Sequence, residues 1–256
     1  MFVAVDIGNS NITVGIKINE KWTEYRFPTH SEQPLLLLRE QIKLFNLTTL
    51  MGIGLSSVVP DVTPVVYSEL ELLFGQQPIL IHKRHYHLLP IVTKNPDELG
   101  TDLLVNCLAA HNLCNKSDCL VVDFGTALTY TFVNAEGIIK GVAIAPGINT
   151  ALKALTKNAA QLPEITPTLP DKALGTDTVS AIKGGTVWGF VGQVSFMIDK
   201  IKKETNLELK VIATGGLSHV LKPLDPLFDY IERHLTLEGI EQYHTIVVAN
   251  SKQPNE

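Results

Sequence analysis

The chain has 256 residues, 45% hydrophobic and 18% charged, with a formal net charge of −5. That length supports one large domain or two small ones with real cores, and that composition excludes wholesale disorder. With no basic surplus, bulk binding to a nucleic-acid backbone is not expected, although backbone N–H groups and a metal ion can still hold a small anion.

No apolar run approaches the roughly 18 residues that span a bilayer. Residues 1–5 are apolar but lack a basic n-region and run straight into Asp6, so a strand is expected rather than a signal peptide. Cys107, Cys114 and Cys119 form an odd, close-set trio without a paired framework. A reduced, cytoplasmic protein with no membrane partner is predicted.

FVAVDIGNSNITVGI, residues 2–16, reads as an apolar strand ending at Asp6, a Gly-containing turn and a second β-rich strand. Residues 34–45 predict a leucine-rich helix, 52–59 a buried strand stopped by Pro60, 66–74 another helix and 78–81 a short strand. Thr101 is expected to cap a helix over 102–113, with Leu104, Val105, Leu108 and Ala109 turned inward. LVVDFGTALTYTFV, residues 120–133, then repeats the opening plan, with Asp123 equivalent to Asp6 and Gly125 to Gly8. Further on come a strand over 138–145, helices over 149–160 and 178–203, and a strand over 211–213 that leads into Thr214-Gly215-Gly216. The tail beyond Val248 is expected to fray. Two copies of one supersecondary unit imply two similar α/β domains, 1–115 and 116–256, with a cleft between them.

The turn after Asp6 gathers backbone N–H groups, the Asn9 amide and the Ser10 hydroxyl, a donor array suited to a phosphate chain. Asp6 is placed to hold Mg²⁺ through water. The second turn offers Gly125, Thr126 and Thr129, with Asp123 as a second cation ligand or an orienting carboxylate. Taken singly, either turn also fits a glycine hairpin with capping polar residues; the repeat favours the phosphate reading. Gly215 and Gly216 leave room for a flat adenine or ribose ring, or simply form a turn. Neither GxxxxGK[ST] nor GxGxxG after a strand is present.

These segments resemble the type III pantothenate kinases, members of the superfamily of acetate and sugar kinases, Hsp70 and actin. The resemblance rests on DIGNSNIT (6–13), SSVVP (56–60), NPDELGTD (95–102), DFGTALT (123–129), GVAIAPGI (141–148), LGTDTVSAIKGG (174–185) and ATGG (213–216). It implies two ribonuclease-H-like domains of the actin-like ATPase kind, each a mixed five-stranded sheet flanked by helices, around a nucleotide cleft. By that resemblance Asp6 to Thr13, including Gly8, Asn9 and Ser10, bind ATP phosphates and Mg²⁺. Asp102 is the general base toward pantothenate's primary hydroxyl, Asp123 binds K⁺ or NH₄⁺, and Thr126 contacts ATP. Gly100, Thr101 and Thr93 line the pantothenate pocket. Thr178 reaches it from the neighbouring subunit of a homodimer. The implied product is 4′-phosphopantothenate, at the entry to coenzyme A synthesis.

Asp102 stands at the first turn of its helix, where the dipole favours the ionised form. An Asp there also fits a plain helix cap. A weak base suffices when phosphoryl transfer depends mainly on positioning and charge neutralisation. The family pattern GxDR is broken at Leu103, where an arginine would pair with the pantothenate carboxylate, and Thr93 stands where an aromatic is usual. Weak activity with Lys94 substituting, a less acidic alcohol, or a nucleotide-binding regulator without catalysis are the alternatives. The HKRHYH run, with His82, His85 and His87, reads as a solvated basic loop, and His111, Cys114 and Cys119 as packing rather than zinc ligands.

Overall fold

The computed structural model describes residues 1–31, 39–40, 50–159, 162–216 and 221–251. The chain forms two compact units, Met1–Asn112 with His234–Glu256, and Leu113–Arg233. Among the described residues no helix is long and apolar enough to cross a membrane.

In the first unit, strands β1 (Phe2–Ile7), β2 (Asn11–Ile18), β3 (Lys21–Pro28), β4 (Gly52–Ser57) and β5 (Ile79–Leu80) lie in the order β3-β2-β1-β4-β5. β1 runs antiparallel to β2 and parallel to β4. Strand alternation divides β1 cleanly. Val3, Val5 and Ile7 enter a core with Val14, Ile16, Ile53, Leu55 and the Val66 and Leu70 side chains of α1 (Thr63–Phe74). Phe2, Ala4 and Asp6 take the other parity, and register aligns them in three rows: Lys17–Phe2–Gly52, Gly15–Ala4–Gly54 and Thr13–Asp6–Ser56.

The small middle row admits a helix. That helix is C-terminal: α6 (Leu235–Ser251) sets Ile240 over Gly54 and Leu237 over Gly15, with His244 edge-on to Phe2. It also presses on α2 (Thr101–Leu113), where a Cβ at Gly239 would come 2.0 Å from the Val105 carbonyl oxygen. Thr236 donates to Asn106 at 2.8 Å, and Lys17 pairs with Glu241 at 2.7 Å. The 116–256 assignment is therefore corrected at its end, because the last helix completes the first unit's sheet. Neither α6 nor β3 is among the sequence expectations.

The second unit repeats the sheet. Strands β6 (Cys119–Phe124), β7 (Ala127–Val133), β8 (Ile139–Pro146), β9 (Lys210–Thr214) and β10 (Tyr230–Ile231) lie in the order β10-β9-β6-β7-β8. Leu120, Val122, Phe124, Val211 and Ala213 pack with Val194 and Ile198 on one face. Helix α3 (Ile148–Asn158) follows β8. The single helix expected over 178–203 is three pieces: α4 (Thr178–Lys183), a π turn over Gly184–Trp188 and α5 (Gly189–Thr205). Gly184 lies against the Ala173 carbonyl, so the preceding segment crosses the helix where it widens. Of the helix expected over 34–45 only Arg39 and Glu40, which are helical, fall inside the described residues.

Gly239→Ala is expected to cost about 2 kcal/mol through the forced separation of α6 from α2, read as a lower urea midpoint at unchanged slope. An unaltered midpoint contradicts this packing.

Candidate active site

Each central strand ends in an aspartate flanked on both neighbouring strands. In the first unit Asp6 stands between Thr13 and Ser56; in the second, Asp123 stands between Thr129 and Thr214. Residues paired in register project to one face of a sheet, so both units carry a row of hydroxyl, carboxylate, hydroxyl.

The turn after β1 is closed by the Gly8 N–H donating to the Asn11 carbonyl at 3.0 Å. Thr29, buried past the end of β3, clamps it from behind. Its hydroxyl donates to the Gly8 carbonyl at 2.6 Å and its N–H to the Ser10 carbonyl at 3.1 Å. Asn9 and Ser10 are left exposed. The second turn is held likewise, its Thr126 carbonyl accepting from the Gly147 N–H at 3.0 Å and the Thr150 hydroxyl at 2.7 Å. Gly215 turns left-handed (φ +91°), and a Cβ there would lie 2.5 Å from the Asp123 carboxylate, so only glycine brings this backbone over the aspartate.

The donor sets fit hard cations and phosphate. Thr129 and Thr214 are buried, and neither hydroxyl has a hydrogen-bond partner among the described residues. Two orphaned oxygens beside a carboxylate suit an ion such as K⁺. No group of three His, Cys, Asp or Glu side chains able to hold a metal occurs among the described residues. A Mg²⁺ at Asp6 would therefore draw its other ligands from phosphate oxygens and water, its usual habit. The His82–His87 run is a short 3₁₀ helix, Lys83–Leu88, and the three cysteines are buried and form no disulfide.

Thr101 begins α2, but its hydroxyl does not cap it. The hydroxyl donates to the Ser57 carbonyl at 3.0 Å and lies 3.1 Å from the Ser56 hydroxyl. Asp102 folds back over Gly100, where a Cβ would meet its Oδ1 at 2.4 Å, and this Oδ1 accepts from the Leu103 N–H at 2.8 Å. The expected helix-terminus effect is overruled. Burial pushes the Asp102 carboxyl above the usual aspartate range, with the Leu103 and Asp102 N–H groups pulling more weakly the other way. Thr93 is half-buried and its hydroxyl accepts from the Asn95 N–H; Leu103 is half-buried, and Lys94 is exposed. These all belong to the first unit, whereas Thr178 is exposed at the start of α4 in the second, just after Asp177, whose carboxylate caps the helix through Ser180. Gly216 is half-buried beside Gly215. Sequence reasoning gave no role to the hydroxyls of Thr29, Ser56, Thr150 and Thr214. A hydroxyl residue placed opposite a strand-end aspartate was the available signal for Ser56 and Thr214.

A raised carboxyl pKa in the folded protein contributes stability that is full below the unfolded value, about 3.9, and lost as pH rises through the folded value. Ionised Asp102 thus opposes folding near neutrality. Asp102→Asn, still able to accept from Leu103, is expected to raise the Tm at about pH 7 and to lose that gain near pH 3.5. Equal Tm values at neutral pH contradict it.

Residues 2–200 match the family described as type III pantothenate kinase. A type III pantothenate kinase of Agathobacter rectalis is 36% identical over 251 residues, covering 94% of this chain and 95% of that protein. One from Moorella thermoacetica is 35% identical over 247 residues, covering 94% and 97%. Among solved structures, a putative 2-dehydro-3-deoxygalactonokinase of Sinorhizobium meliloti matches with TM-score 0.58 at 13% identity over 100% of this chain and 98% of its own. A conserved putative Baf family transcriptional activator of Campylobacter jejuni matches with TM-score 0.56 at 18% identity, over 98% and 100%. These two share the fold alone, which is that of the actin-like ATPases and sugar kinases. The chain belongs to the type III pantothenate kinase family.

Proposed function

We propose that the protein transfers the γ-phosphoryl group of ATP to the primary hydroxyl of pantothenate, giving 4′-phosphopantothenate for coenzyme A synthesis in the cytoplasm. The observation that carries this reading, beside family membership, is the strand-end row Thr13–Asp6–Ser56 joined through Thr101 to a half-buried carboxylate with a raised pKa. Asp6, Gly8, Asn9, Ser10 and Thr13 receive the phosphates, with Gly125, Thr126 and Thr129 as further contacts and Gly215 and Gly216 beside the adenosine. Mg²⁺, when bound at Asp6, neutralises phosphate charge. Asp102 accepts the hydroxyl proton. A carboxylate whose pKa lies nearer the working pH is the better base, so the burial that destabilises Asp102 serves this role.

Asp123 with the orphaned Thr129 and Thr214 hydroxyls is assigned to a monovalent cation, K⁺ or NH₄⁺. A homodimer is supported by one face of the second unit. Gly185, Gly189 and Gly192 recur at helical spacing with nothing within 4 Å of a Cβ at any of them, followed by exposed Phe196. A second copy of that face closes the smooth stripe, and Thr178 is assigned to the partner's pocket with Gly100, Thr93 and Leu103.

Leu103 favours a second reading, in which the substrate is a less acidic alcohol. An arginine there would give a charged, bidentate hydrogen bond worth about 1.5–3 kcal/mol. Transfer of labelled phosphate from ATP, with Mg²⁺ and K⁺ present, tests both. Pantothenate is expected to be phosphorylated, Asp102→Asn to lower kcat about 100-fold or more, and Leu103→Arg to lower the KM for pantothenate about tenfold or more. Transfer to another alcohol but not to pantothenate selects the second reading. ATP binding without transfer to any alcohol leaves a nucleotide-binding regulator.

A further inference from the structure

Two adjacent serines at the end of β4 point in opposite directions and grip two different helices. The Ser57 hydroxyl lies 2.6 Å from that of Thr63 and accepts from the Val59 N–H at 3.1 Å. Thr63 donates to the Val59 carbonyl at 2.8 Å, and the Ser57 hydroxyl lies 3.4 Å from the same oxygen. This fixes the start of α1. Ser56, buried and in the row of Asp6, faces the other way. Thr101 has one hydroxyl proton, and it goes to the Ser57 carbonyl; the Ser56 hydroxyl therefore donates to Thr101.

Thr101 is thus bonded twice to β4, by a side chain and by the main chain of consecutive residues. The next residue is Asp102, whose carboxylate is wrapped over Gly100 and against its own helix N–H groups. Since Ser56 and Asp6 are register partners, the hydroxyl pair ties the turn carrying the carboxylate to the strand end carrying the phosphate-side aspartate. Thr101's proton is committed to the protein and its oxygen already accepts a bond. It has little capacity left for a substrate.

We infer that Ser56 and Thr101 are positioning residues for Asp102, setting its reach from the phosphates held near Asp6, and that Thr101 is not a substrate contact. The inference rests on the proposed phosphotransferase activity, with Asp102 as its base. A misplacement near 1 Å in such a system lowers turnover by as much as about 100-fold, whereas uniform binding contributes to KM alone. The two roles are therefore separable by kinetics.

The experiment compares wild type, Ser56→Ala, Thr101→Val and Thr101→Ser with the alcohol that the wild type phosphorylates, following kcat and both KM values. Ser56→Ala and Thr101→Val are each expected to lower kcat about tenfold or more, with the KM for ATP within about twofold of wild type. Thr101→Ser, which keeps the hydroxyl, restores kcat. The double variant Ser56→Ala/Thr101→Val falls no further than Thr101→Val alone, because that substitution already removes the bond that Ser56→Ala removes. Wild-type kcat in Ser56→Ala, together with a raised alcohol KM in Thr101→Val, overturns the inference and returns Thr101 to the pocket. If Thr101→Val does not fold, Ser56→Ala decides alone, since no role in substrate contact predicts an effect there. Absence of turnover by the wild type with every alcohol overturns the activity itself, and the inference with it.

Discussion

A carboxylate at the end of a buried central strand is the feature around which both units are organised. Strand alternation sends every second residue of β1 and β6 into an apolar core, and the opposite parity ends at Asp6 and Asp123. A charged group so near the core needs polar neighbours, and register supplies them from the strands on either side. The two copies then part company. In the first, Ser56 is bonded to Thr101 and through it to the turn of Asp102. In the second, the hydroxyls of Thr129 and Thr214 are buried without partners among the described residues.

The rest of the first unit keeps that row in place. Small residues at Gly15, Ala4 and Gly54 let α6 lie close on the sheet face, and Gly239 lets it lie close on α2. Helix α2 is therefore fixed at its start by β4 and along its length by α6. The carboxylate it carries is held against its own main chain. Burial makes this arrangement costly for a charged group.

The repeat, its aspartates and its glycine turns were legible because they are local: each lies within about fifteen residues, and period-two alternation marks it. The same locality explains what was missed. Helix α6 joins the first sheet from the far end of the chain, and no local signal announces a return across a whole domain. Strand β3 hides because the charges of Glu24 and Arg26 beside Trp22 and Tyr25 blur the alternation, while a two-residue turn at Asn19 and Glu20, both at positive φ, lacks glycine. Thr101 has the residue type and place of a helix cap, yet its hydroxyl finds partners on β4 that are distant in sequence. Asp102 was expected to follow the helix dipole, and burial, invisible to local reading, reverses the direction of its shift.

We assign Asp6 and Asp123 each to the binding of a metal-bound nucleotide. Calorimetric binding of a non-hydrolysable ATP analogue, with Mg²⁺ and K⁺ present, to wild type, Asp6→Asn and Asp123→Asn tests it most directly. Each substitution is expected to weaken binding about tenfold or more, the scale of one lost charged interaction. Wild-type affinity in either variant would contradict it.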